Sequence, residues 1–205
     1  MANEQQPEQQ LSAHGTTRRR FTRAGVAASG VLLTVHSQPG MAASACSTPS
    51  GFQSITYGSH NPRVTTCDGN SPGVWKESLE ARGNNKNTPG HLGWPVDPDK
   101  VRFRDIFVTL ATGPYRHLGE DRAFLGYVLN NKEKGFDPEN FGAYMVATYL
   151  NTMAKLSPVP DYATLVQIWM GIRDNGKYSP NGGGPVWYVK EVKDYLASTW
   201  HGGKI

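Results

Sequence analysis

From Val74 onward the chain switches repeatedly between two textures. Segments with apolar residues at three- and four-residue intervals alternate with segments rich in Gly, Pro, Asn and Ser. The first kind predicts amphipathic helices and the second predicts the turns between them. Val74 to Arg82 predicts a short helix stopped by Gly83. Val101, Phe103, Ile106, Phe107 and Leu110 predict a second, ended by Gly113-Pro114. Phe124, Leu125, Val128 and Leu129 form one face of a third, from about Glu120 to Asn131. The longest opens at Asp137-Pro138-Glu139, where Asp137 is placed to cap free amides and Pro138 suits a first turn. It is expected to run to about Leu156, with Phe141, Met145, Tyr149 and Met153 on one stripe, until Pro158 and Pro160 stop it. Such a stripe needs several neighbours to bury it, which predicts a central position. Another helix starts at Asp161, carries Leu165, Ile168, Trp169 and Ile172, and ends near Gly176. After the connector from Tyr178 to Pro185, a last helix carries Val189, Val192, Tyr195, Leu196 and Trp200.

Upstream the pattern differs. Residues 46–70 are rich in Ser, Thr, Gly and Pro, and the alternation from Phe52 to Tyr57 admits one short strand. The expected fold is therefore all-α: a compact bundle of about five helices in 71–205, after a loop-rich segment, 46–70. A chain of the 160 residues from 46 to 205 can bury roughly 68–70% of its extended surface, enough for one core.

Residues 1–45 read as an address. A polar, Gln-rich start leads to Thr17-Arg18-Arg19-Arg20-Phe21-Thr22-Arg23, then to an uncharged stretch from Ala24 to Val35, then to Ala42-Ala43-Ser44-Ala45. Basic, apolar and small-residue parts in that order describe an export signal, with Ala43 and Ala45 at the cleavage site. The basic part resembles a twin-arginine signal: Arg18 and Arg19 are the pair, Phe21 sits at the aromatic position, and Arg23 replaces the usual Lys. The twin-arginine export machinery is the partner this implies. Charge supports setting the segment apart. The whole chain carries 21 basic and 17 acidic residues, but residues 46–205 carry 17 and 15. A near-neutral domain gives no reason to expect a nucleic-acid partner. No apolar run in it reaches the roughly 20 residues of a membrane-spanning helix.

The two cysteines, Cys46 and Cys67, leave two readings open. In an oxidising compartment an even pair reads as a disulfide. Ala43-Ser44-Ala45-Cys46 also loosely resembles a lipobox, which would make Cys46 a lipid-bearing first residue.

Cys67-Asp68-Gly69-Asn70-Ser71-Pro72-Gly73-Val74-Trp75-Lys76 resembles the C-x-x-x-S/T-P-G-Y-W-K core of a family of exported bacterial and archaeal proteins, with Val74 in place of Tyr. Met145-Val146-Ala147-Thr148-Tyr149-Leu150-Asn151 is similar to a later helix of that family. Gly176-Lys177-Tyr178-Ser179-Pro180, Trp187 and Tyr195-Leu196 add to the likeness. The resemblance implies export and a helical domain, and it carries no catalytic residue.

The search for chemistry is largely negative. His60, His91, His117 and His201 are scattered and read as solvated, with no structural or chemical role assigned to His117. No metal-binding spacing occurs, and no metal or cofactor is expected. No serine elbow or cysteine nucleophile is recognisable. Asp97-Pro98-Asp99 and Asp174-Asn175-Gly176 offer oxygens to Ca²⁺, but neither continues into a complete calcium loop. Glu77, Glu80, Glu120, Asp121 and Glu139 have structural uses at helix starts. Trp75, Trp94 and Trp187 lie beside Gly- and Pro-rich loops and read either as core or as binding aromatics for a glycan or protein surface. The expectation is an exported, non-enzymatic protein of the periplasm or cell surface, acting through protein or glycan contacts. The alternative is a small glycan-directed hydrolase using an Asp/Glu pair.

Overall fold

A computed structural model describes residues 46–56, 67–84, 92–130, 133–180 and 185–200. The expected export signal, including Arg18, Arg19, Phe21, Ala43 and Ala45, lies outside the described residues, as do His60, His91 and His201. The fold is all-α. Among the described residues there are seven α-helices: α1 (Pro49–Thr56), α2 (Pro72–Asn84), α3 (Phe103–Ile106), α4 (Leu125–Asn130), α5 (Phe141–Met153), α6 (Tyr162–Asn175) and α7 (Val189–Ser198). Short 3-10 turns cover Arg116–Gly119 and Pro138–Asn140. β-pairing occurs among them as isolated bridges joining Gly69 with Trp200, Arg102 with Phe124, and Tyr178 with Trp187.

α5 is the centre, packing against α2, α4, α6 and α7. Phe141, Met145 and Leu150 are fully buried. Its start differs from the expected one. Glu139 and Asn140 adopt left-handed backbone, φ 58° and 57°, so the regular helix begins only at Phe141. Asp137 reaches over this 3-10 turn, its two oxygens accepting from the Gly142 and Ala143 amides at 2.7 and 2.9 Å. At the other end Met153, the expected last member of the stripe, is exposed.

α6 follows its local signals. Asp161 accepts from the Thr164 amide at 2.8 Å, and Gly176 ends the helix in left-handed backbone. Trp169 on this helix is fully buried and packs its ring against Phe103, Phe107, Tyr115 and Phe141 at 4.9–5.9 Å between centroids.

Four expectations are corrected. The segment expected as a short strand is α1, because Thr48 caps it through the Gly51 amide and Pro49 fits the first turn. The helix expected over Val101–Leu110 shrinks to the four residues of α3. Its flanks pair elsewhere: Phe103 donates to the Ala123 carbonyl at 2.8 Å, Leu125 donates to the Val101 carbonyl at 3.0 Å, and Phe107 is extended. The same pairing delays α4 to Leu125. Trp200 lies beyond α7, bridged to Gly69.

Candidate functional site

Two segments far apart in sequence, 67–76 and 145–151, meet at one buried side chain. Asn151, on the last turn of α5, is fully buried. Its Oδ1 accepts from the Asn70 amide at 2.8 Å and from Trp75 Nε1 at 3.0 Å, while its Nδ2 donates to the Asn70 carbonyl at 2.9 Å. Gly69 permits this approach, since a Cβ there would lie 2.6 Å from the Thr199 carbonyl and 2.8 Å from Asn151 Nδ2. Ser71 then caps α2 through the Val74 amide, which delivers Trp75 into the core. This is architecture: every polar group involved is bonded to another part of the chain.

Cys46 and Cys67 are joined as a disulfide, with Cα atoms 5.1 Å apart. The bond ties the start of α1 to the Gly69–Trp75 segment. Phe52 on α1 packs edge-on against Trp187 and Tyr195, and Tyr195 donates to the Ser47 carbonyl at 3.2 Å. Trp187 is buried in that cluster with Tyr178. Trp75 has no exposed surface, and half-buried Trp94 covers it at 5.0 Å between ring centroids, its Nε1 bonded to Ser78 Oγ. Trp75 and Trp187 are buried in the core, and Trp94 is partly buried against it.

Among the described residues, a group of polar side chains surrounds Arg122 on the surface. His117 Nδ1 is hydrogen-bonded to Glu120, and its ring lies stacked near Phe136. Arg122 joins Glu120 to Glu133 at 2.6 and 2.9 Å and lies over the Tyr127 and Phe136 rings. Tyr127 donates to Glu133 at 3.1 Å. His117 therefore has partners, contrary to the sequence reading; its spacing to Glu120 and Arg122 was the available signal. Chemically the cluster is quiet. His117 first and then Arg122 hold the Glu120 carboxyl below its ordinary range, and Arg122 followed by Tyr127 does the same for Glu133. A glycosidase acid needs the opposite shift. Burial pushes Asp137 up to about 6, against the pull of the Gly142 and Ala143 amides, but both its oxygens are occupied by those amides. Asp121 pairs with Arg104 at 2.6 Å, and Asp174 with Arg173 at 2.6 Å. Among the described residues no three His, Cys, Asp or Glu side chains group to hold a metal. No helix among them is long and apolar enough to cross a membrane.

The sequence analysis missed an apolar face. After α3, whose last residue is followed by Phe107 in extended backbone, the chain passes alongside α6. The Ile106 carbonyl accepts from Tyr162 Oη at 3.0 Å, and the Val108 carbonyl accepts from Trp169 Nε1 at 2.7 Å and Arg173 Nη1 at 2.5 Å. Side chains alternate along it: Phe107 is buried, Val108 is 64% exposed, Thr109 is half-buried and Leu110 is exposed. Tyr162, Val166 and Met170 follow at four-residue spacing on the adjoining flank of α6. Met153 stands one turn beyond Tyr149, whose ring packs against Tyr162. Leu110, Met153, Tyr162 and Met170 are 43–46% exposed. The legible signal was the run from Ile106 to Tyr115, which holds no charge between Asp105 and Arg116. Comparison of the chain with protein-family models, curated proteins and solved structures finds no match.

Proposed function

We propose that this is an exported, non-enzymatic protein that works by contact, and that the face of Val108, Leu110, Tyr162 and Met170 is where contact is made. Export rests on the twin-arginine-type signal and is compatible with the Cys46–Cys67 disulfide. The observation that carries the contact reading is the exposed apolar face, because such faces often mark sites of contact. A protein suits it better than a glycan. Sugars need amide or charged side chains for their hydroxyls, and the one exposed tyrosine hydroxyl here is spent on the Ile106 carbonyl. The hydrolase alternative has less support, because Glu120 and Glu133 share one arginine and are both held ionised.

The test is photocrosslinking in exporting cells. p-Benzoylphenylalanine at Leu110 should give a discrete protein adduct, while the same group at exposed Lys190 on α7 should give none. Absence of an adduct at Leu110 refutes the contact reading.

A further inference from the structure

The Cys46–Cys67 bond sits beside a hydroxyl that a disulfide cannot use. Ser157 is buried and places its Oγ 3.5 Å from Cys67 Sγ and 3.7 Å from Cys46 Sγ. A serine hydroxyl holds one hydrogen. Here that hydrogen goes to the Val159 carbonyl at 2.6 Å, a closer and stronger acceptor than sulfur. What Ser157 turns toward the two sulfurs is therefore a lone pair. A disulfide has no hydrogen to give it, whereas a thiol has one. Of the two cysteines, Cys67 is the nearer to Ser157 and the more deeply buried.

The backbone around both cysteines is also anchored without the bond. Beside Cys67, the Asp68 amide donates to the Leu156 carbonyl at 3.2 Å, and Asn151 holds both the amide and the carbonyl of Asn70. Beside Cys46, the Ser47 carbonyl accepts from Tyr195 Oη, and Phe52 packs edge-on against Trp187 and Tyr195. None of these contacts involves sulfur, so opening the bond leaves them in place.

We infer that Ser157 is a positioning residue for the Cys67 thiol: in a folded, reduced form of this domain Cys67 donates its S–H to Ser157 Oγ, and the disulfide closes onto a structure already assembled. Closure takes a small disulfide as oxidant. The two cysteines give up two protons and two electrons, the Cys46–Cys67 bond forms, and the oxidant's S–S bond is cleaved to two thiols. Such a chain can assemble where thiols stay reduced and be locked where they do not.

Equilibration of the full chain in glutathione buffers, with thiols alkylated and counted by mass, tests this. The reduced chain should keep the helical and aromatic circular dichroism of the oxidised one. The bond from Ser157 to Val159 is made in both forms, so removing the hydroxyl penalises the thiol form alone. Ser157→Ala should shift the equilibrium toward the disulfide about two- to tenfold. An equilibrium that is unchanged, or shifted toward the thiols, means that Ser157 serves only Val159 and overturns the inference. A reduced chain that loses the circular dichroism of the oxidised one overturns it as well. Should Ser157→Ala fail to fold, the infrared spectrum of Cys46→Ser decides, since Cys67 is then the one thiol in the chain. An S–H stretching band lowered from that of free cysteine supports the bond to Ser157, and an unshifted band refutes it.

Discussion

Truncating Asn151 to alanine tests whether the buried amide joins the N-terminal part of the domain to its central helix. The substitution orphans three groups: the Asn70 amide, the Asn70 carbonyl and Trp75 Nε1. Trp75 is fully buried, so its Nε1 has no route to water, and leaving one such donor unpaired costs about 1–3 kcal/mol. The Asn70 groups are half-buried and recover part of their loss by hydration. Adding the small cavity left by the amide, Asn151→Ala should cost about 3–4 kcal/mol, a large share of a stability of roughly 5–15 kcal/mol. Urea unfolding of the oxidised domain, followed by helical circular dichroism, measures it. Trp75→Phe isolates one bond, and the double-mutant cycle with Asn151→Ala should show a coupling of about 1 kcal/mol. If Asn151→Ala lies within about 1 kcal/mol of the parent, or the cycle shows no coupling, then Asn151 does not tie these elements together.

The Cys46–Cys67 bond closes a loop of 21 residues' separation, so Cys46→Ser with Cys67→Ser should lose on the order of 3 kcal/mol in the same urea assay. Non-reducing mass analysis of the protein made in exporting cells should find no free thiol, and a diacylglyceryl mass on Cys46 would establish the lipoprotein reading instead. Burial raises Asp137 from 3.8 to about 6, so the folded state holds a proton there that the unfolded chain releases. Its contribution is fully present below about pH 4 and is lost as pH rises to about 6, a difference of about 2–3 kcal/mol. Lys193 on α7 pulls the Asp137 carboxyl the other way, and Asp137 itself acts on Tyr115. Asp137→Asn should remove this slope from the difference between the two stability–pH curves, and identical curves would refute the assignment. Replacing Arg18 and Arg19 with Lys should leave precursor in the cytoplasm on cell fractionation, whereas normal maturation would exclude the twin-arginine route.

The features legible in the sequence are those whose cause lies within about one turn of chain. Asp161 and Gly176 bound α6 because a cap and a left-handed glycine act on neighbouring amides and carbonyls. The apolar spacing of α5 located the bundle's centre for the same reason. Thr48-Pro49 and Ser71-Pro72 were equally local signals for α1 and α2, but the alternation after Phe52 and the periodicity after Val74 obscured them. What only the tertiary structure decided depends on groups far apart in sequence. Asn151 has no periodic signature, and its partners lie 76 and 81 residues away. The helix expected over Val101–Leu110 yields to pairing with residues 123–125 because those bonds satisfy the same backbone groups while burying Phe103 and Phe107 against Trp169. Periodicity marks which residues are apolar, while the packing of whole helices sets which of them reach water. That is why Met153 and Leu110, apolar in the pattern, stand exposed, while Trp75 and Trp187, beside the loops, are core.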